Sequence, residues 1–124
     1  MKAEAIDSVH ALFERKADTG LKSLLADDIE LRPPTYGKSW TGRELVARLL
    51  KFAASSFSDF RYTDILSQDA MAIMRFEALI EGIPISGVDL IRFADDGSIS
   101  IFEIFVRPPQ AALALRDAMG RHVR

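Results

Sequence analysis

The chain is 124 residues long, 48% hydrophobic and 27% charged, with 16 Lys+Arg against 18 Asp+Glu for a formal net charge of −2. That length and composition fit one ordinary globular domain, able to bury roughly two-thirds of its unfolded surface around one core. The near-neutral balance argues against nucleic-acid binding through bulk charge, the lack of cysteine excludes disulfides, thiolate zinc sites and a cysteine nucleophile, and His10 and His122 are too few for a multi-histidine metal cluster.

The opening MKAEAIDSVH carries acids where a signal peptide is apolar. No apolar run approaches the ~18 residues of a membrane span. The expectation is a soluble, cytoplasmic protein without membrane contacts. No repeat or linker divides it, so residues 1–124 read as a single domain.

Residues 3–17 predict a helix, because Ile6, Val9, His10, Phe13 and Ala17 fall on one face. Asp18-Thr19-Gly20 breaks it. Leu21, Leu24 and Leu25 predict a short second helix ending before Asp27-Asp28, an acid pair expected in a turn. Residues 29–32 read as extended, Pro33-Pro34 ends them, and 35–39 form a loop. Thr41 and Glu44 have the spacing of a capping box, with Trp40 and Leu45 as a hydrophobic staple. The helix they open runs to about Ser55, with Leu45, Val46, Leu49 and Ala53 on one face.

After Ser58 the period falls to two: Phe60, Tyr62, Asp64 and Leu66 alternate with Arg61, Thr63 and Ile65. Residues 67–69 turn, 71–80 form a strand, Glu81-Gly82 a tight turn, and 83–93 the returning strand. Asp95-Asp96-Gly97 turns again into a strand over 98–107, which Pro108-Pro109 ends. A last helix covers 110–119, with Gly120 past its end and Arg121, His122 and Arg124 as a frayed basic tail. Helices followed by an antiparallel meander define an α+β fold.

A turn at Glu81-Gly82 sets Ile80 opposite Ile83, Ala78 opposite Ile85, Phe76 opposite Gly87 and Met74 opposite Asp89. One face then holds Met74, Phe76, Ala78, Ile80, Ile83, Ile85, Gly87, Asp89, Ile91 and Phe93, apolar except for Asp89. The other, with Arg75, Glu77, Leu79, Ser86, Val88, Leu90 and Arg92, is mixed, so the first is expected under the helices. A lone ionised carboxylate there costs several kcal/mol. Asp89 either organises the core by binding a loop amide or an arginine, or it is a raised-pKa carboxyl that donates to an oxyanion or shuttles a proton. His10, between Val9 and Phe13 on the apolar helix face, is either a core histidine with one hydrogen bond or a general acid/base partner of Asp89.

In the last strand Phe102, Ile104 and Val106 share one face, and Ile101, Glu103, Phe105 and Arg107 the other. With the first set inward, Ile101 and Phe105 join Leu79, Val88 and Leu90 in an outer apolar patch. Arg75, Glu77, Arg92 and Glu103 rim it. Such a patch suits a symmetric homodimer unless the last helix covers it. Arg32, Tyr36 and Trp40 flank the double proline and are candidates for a pocket mouth. With no phosphate loop, nucleophile elbow or metal-binding helix motif, no cofactor or metal is expected.

Leu25-Ala26-Asp27-Asp28-Ile29, Ser39-Trp40-Thr41-Gly42-Arg43, Gly87-Val88-Asp89-Leu90-Ile91-Arg92-Phe93, Asp96-Gly97-Ser98-Ile99 and the final strand to Arg107-Pro108 follow one another in a familiar order. In these, over about residues 3–119, the chain resembles the nuclear transport factor 2-like superfamily, in its SnoaL-like and ketosteroid-isomerase-like branches. The resemblance implies a cone-shaped α+β roll, a curved and mostly antiparallel sheet wrapped on the N-terminal helices around an internal apolar pocket. It implies homodimers through the outer face, here Leu79, Leu90, Ile101 and Phe105. The ligand-binding candidates are Phe13, Tyr36, Trp40, Phe60, Tyr62, Met74, Phe76, Phe102 and Ile104.

Asp89 matches the oxyanion-donating aspartic acid of ketosteroid isomerases and resembles the acid/base aspartate of SnoaL-type cyclases. His10 falls near the isomerase's oxyanion tyrosine if the loop after the first helix is one residue shorter here. Aligning Ala26-Asp27-Asp28 puts Pro33 where the isomerase carries its general base. Met74, Phe76 and Ala78 occupy the region where limonene epoxide hydrolases need polar residues, and scytalone dehydratases use two pocket histidines. The implied ligand is a small, mostly apolar molecule, with isomerisation, cyclisation or hydration as candidate reactions. A non-catalytic ligand-binding or dimerisation module is the alternative.

Overall fold

In the computed structural model, which describes residues 2–123, the apolar stripe of the first segment becomes helix α1 (Lys2–Arg15), burying Ala5, Val9, Leu12 and Phe13. Gly20, at φ 95, starts a single 3-10 turn over Leu21–Leu24, and strand β1 (Leu25–Arg32) follows directly. The predicted second helix is therefore one turn long. Asp27 and Asp28 lie within β1, not in a turn. They point outward, and Asp27 receives the Arg43 guanidinium at 2.8 Å.

The capping box does not form. Trp40–Thr41 pairs as strand β2 with Leu31 and Glu30, so Thr41 is committed to the sheet. Helix α2 (Arg43–Ser56) starts after Gly42, whose φ of 105 no other residue adopts without strain, and Gly42 N–H donates to the Ile29 carbonyl. Glu44 pairs with Lys22 instead.

Strands β3 (Phe57–Gln68), β4 (Met71–Ile80), β5 (Ile83–Phe93) and β6 (Ile99–Arg107) form the meander, and helix α3 (Pro109–Val123) closes the described chain. Gly120 lies inside α3 rather than past its end: one glycine costs a helix about 1 kcal/mol and does not by itself stop it. In place of a frayed tail, Arg121 reaches Glu81 at 2.6 Å; the side chain of His122 and all of Arg124 lie outside the description.

The six strands run in the order β2-β1-β6-β5-β4-β3, with β1 parallel to β6 and the other pairs antiparallel. Glu81 and Gly82 both have positive φ, the primed turn a two-residue hairpin needs, and it sets the register with Phe76 opposite Gly87 and Met74 opposite Asp89. Register shifts in β1/β6, β3/β4 and β5/β6 add local twist, giving a curved, unclosed sheet. Met74, Phe76, Ile80, Ile85, Ile91, Phe93 and Phe102 are buried on the concave side. On the convex side Leu79, Val88, Leu90 and Ile101 are only half-buried and Phe105 is 50% exposed. Helix α3 packs on the concave side, where Leu115 meets the core, and leaves Phe105 uncovered. No helix among the described residues is long and apolar enough to cross a membrane.

Candidate functional site

Strand β5 carries Asp89 to the concave face between Met74 of β4 and Ile104 of β6. The residue is 2% exposed. Its partner comes from two strands away: the Tyr62 hydroxyl of β3 reaches over β4 and donates to Asp89 Oδ2 at 2.7 Å. The Tyr62 backbone N–H, beside a register shift in β3, donates to Glu14 Oε2 of α1 at 2.9 Å. The same carboxylate oxygen lies 3.2 Å from His10 Nε2, and the His10 ring stands 5.5 Å from the Tyr62 ring. The predicted contact between His10 and Asp89 is thus replaced by His10 with Glu14 and Asp89 with Tyr62.

Burial pushes the Asp89 carboxyl up from the ordinary 3.8 to about 7, against the opposing pull of the Tyr62 hydrogen bond. The Tyr62 phenol is held well above its usual range by burial, and further by the negative charge on Asp89, so it stays protonated and donates. Oδ1 of Asp89 has no hydrogen-bond partner among the described residues. No polar side-chain atom among those residues is sealed in the core without one, so this oxygen is the one that opens onto the adjoining cavity.

That cavity has a volume of about 80 Å³, room for a handful of waters or a small organic molecule. Leu49, Leu50 and Ala53 of α2, Leu115 and Met119 of α3, and the loop from Pro33 to Tyr36 frame it against the sheet. Tyr36, 40% exposed, marks the mouth. Asp89 is the single ionisable carboxyl or imidazole among its lining residues.

Of the candidates named from sequence, Phe13, Tyr36, Trp40, Phe60, Phe76 and Ile104 border this space with Asp89. Met74 and Phe102 are wholly buried in the surrounding core, and Tyr62 stands behind Asp89. His10 does not border the cavity, nor does Arg32, which binds Glu30 and Glu103. Leu31, Phe57, Leu49, Leu50 and the two α3 residues were missed. The i, i+4 spacing of Leu115 and Met119 was visible, but nothing local says where α3 docks. The Tyr62–Asp89 bond had a signal: a tyrosine sharing an apolar face with Phe60 needs a partner for its hydroxyl. Among the described residues no three histidine or acidic side chains converge as metal ligands would.

Comparison with curated proteins finds no match. Among solved structures, an uncharacterised cystatin-fold protein from Silicibacter pomeroyi superposes with a TM-score of 0.90 at 35% identity, over 96% of this chain and 84% of that one. A protein described as a steroid delta-isomerase from Pseudomonas aeruginosa superposes with a TM-score of 0.91 at 33% identity, over 98% of this chain and 90% of the other. A de novo designed protein with a curved β-sheet shares the fold at 11% identity, with a TM-score of 0.77 over 96% and 94% of the two chains. The model of the SnoaL-like domain matches residues 6–101, and with that match the chain belongs to the SnoaL-like family of the nuclear transport factor 2-like superfamily.

Proposed function

We propose that the cavity takes a small, mostly apolar molecule bearing one hydrogen-bonding oxygen, and that Asp89 meets that oxygen as a neutral acid. One observation carries the reading: a buried carboxyl at the cavity wall whose Oδ2 is tied to Tyr62 and whose Oδ1 is free. With Oδ2 accepting from Tyr62, the proton belongs on Oδ1, where it donates to a carbonyl; passing that proton to the carbonyl oxygen leaves a carboxylate that takes up the proton of a neighbouring C–H, so that an enol forms and Asp89 regains its proton. The similar P. aeruginosa protein, described as an isomerase, supports chemistry of this class. A second carboxylate base is not supplied at Pro33, which borders the cavity, so Asp89 is the one carboxyl among the lining residues for proton transfer. A single carboxyl equally favours a second reading, ligand binding without turnover.

The test uses 4-phenyl-2-butanone and the fluorescence of Trp40, the one tryptophan of the chain and a cavity residue. Affinity falls about five- to tenfold as pH rises through 7 and Asp89 loses its donor proton, while Asp89→Asn binds with no pH dependence. Absent or pH-independent binding by the native chain rejects the reading. Exchange of the bound ketone's α-hydrogens with deuterated water, lost in Asp89→Asn, separates the enzyme from the carrier.

We propose further that a second copy of the chain covers the convex face, where exposed Phe105 stands among half-buried Leu79, Val88, Leu90 and Ile101. Phe105→Glu converts the dimer to a monomer by light scattering; a native chain that is monomeric at micromolar concentration ends the proposal.

A further inference from the structure

Two cations stand at the cavity mouth, each over an aromatic ring that itself borders the cavity. The Arg116 guanidinium carbon lies 5.0 Å from the centre of the Tyr36 ring, and Lys38 Nζ lies 5.8 Å from the Trp40 ring. Neither cation has a carboxylate partner among the described residues. The contrast with their surroundings is informative, because nearby Arg32 and Arg43 are both held by acids. Arg116 sits one residue after Leu115 and one turn before Met119, both cavity residues, so α3 anchors the cation to the rim. Stacking on a ring fixes a guanidinium while leaving its N–H edge free. The net charge of the chain is negative, so a cationic rim is a local arrangement rather than a general excess.

From this geometry we infer that the ligand is an apolar acid: a carboxylate held at the rim by Arg116, with Lys38 adding to the field, and an apolar body running inward toward Asp89. The inference rests on the proposed reading of the cavity as a binding site and adds the class of molecule it selects. Guanidinium is the cation suited to a carboxylate, which it meets with two parallel N–H donors. The interior could not hold the charge itself, since an apolar wall offers it no counter-ion. An anionic head left at the mouth and an apolar tail inside meet both constraints.

The measurement compares 4-phenylbutanoate with its methyl ester at pH 6, where Asp89 keeps its proton, using Trp40 fluorescence on the native chain, Arg116→Gln and Lys38→Gln. The native chain binds the carboxylate about tenfold more tightly than the ester, as expected for one charge-assisted contact. In Arg116→Gln the preference falls to within about twofold, and in Lys38→Gln it falls by a smaller factor. Equal binding of the two probes by the native chain overturns the inference while leaving the cavity reading intact. So does a preference that survives in Arg116→Gln, which would place the carboxylate elsewhere. Binding of neither probe by a chain that binds 4-phenyl-2-butanone also overturns the inference and leaves the cavity reading intact; failure of all three molecules defeats both.

Discussion

Asp89→Asn stabilises the folded chain above pH 7 and changes it little near pH 4. The folded carboxyl titrates at about 7 against an ordinary 3.8, so between those values the folded state holds a proton that the unfolded state has released. Stability from this group is therefore complete below 3.8, falls as pH rises, and is lost by the time pH passes 7. The gap between 3.8 and about 7 sets the full penalty at about 4 kcal/mol. Asparagine has nearly the same shape, accepts the Tyr62 hydrogen bond through its oxygen and never ionises. Its advantage over the native residue grows from near zero at pH 4 to about 3–4 kcal/mol at pH 8.

The carboxylates whose pKa values are lowered by partners, Asp18, Glu30, Glu44, Glu77 and Asp96, act in the opposite sense. Their stabilisation is lost only as pH falls through the acid range, and being common to both proteins they cancel in the difference. Urea unfolding at pH 4, 6 and 8 reads the effect. Curves for the two proteins that stay parallel from pH 4 to pH 8 would mean that Asp89 ionises as if in water, and both the stability argument and the neutral-acid reading would fail.

The position that carries this argument was legible because a strand alternates with a period of two and a two-residue hairpin leaves no freedom of register. Glu81-Gly82 therefore fixed the pairs from Ile80 opposite Ile83 down to Met74 opposite Asp89. The partner of Asp89 was not legible in the same way. Parity puts Tyr62 on the concave face, but register between neighbours does not reveal that a long side chain crosses a whole strand. His10 shows the corresponding limit for helices. Its face was correctly apolar, but a few tens of degrees of rotation decide whether an edge residue meets the cavity or, as here, Glu14. The capping box failed for a third reason: a local motif worth about 1 kcal/mol yields when the residue is drawn into strand pairing. What the helices cover was readable from pattern; where α3 docks, and hence the cavity mouth, depends on tertiary contacts that no local window contains.

Gly87→Ala removes at least about 3 kcal/mol of stability, although it adds one methyl group to a position of ordinary strand conformation. A Cβ at Gly87 would stand 2.2 Å from the carbonyl oxygen of Phe105 and 2.7 Å from Cζ of Phe76. The first of these is backbone of the neighbouring strand β6, which cannot step aside without breaking the pairing of Phe105 with Val88 and of Val106 with Gly87. The second is a ring packed over the glycine, and it is not free to swing. Phe76 stacks on Phe60 at 4.8 Å and meets Tyr62 edge-on at 6.3 Å. Displacing it disturbs the cavity wall and the side chain that holds Asp89. The same substitution at Gly120 has the opposite sign. Nothing lies within 4 Å of its would-be Cβ, and alanine in place of glycine inside α3 adds up to about 1 kcal/mol. Thermal unfolding of the two variants measures the contrast: for a chain of this size Gly87→Ala melts roughly 10 °C or more below the native protein, and Gly120→Ala slightly above it. A Gly87→Ala protein that melts within 2–3 °C of native, a loss of about 1 kcal/mol or less, would mean that β5 and β6 tolerate a wider separation than the close approach of Phe105 implies.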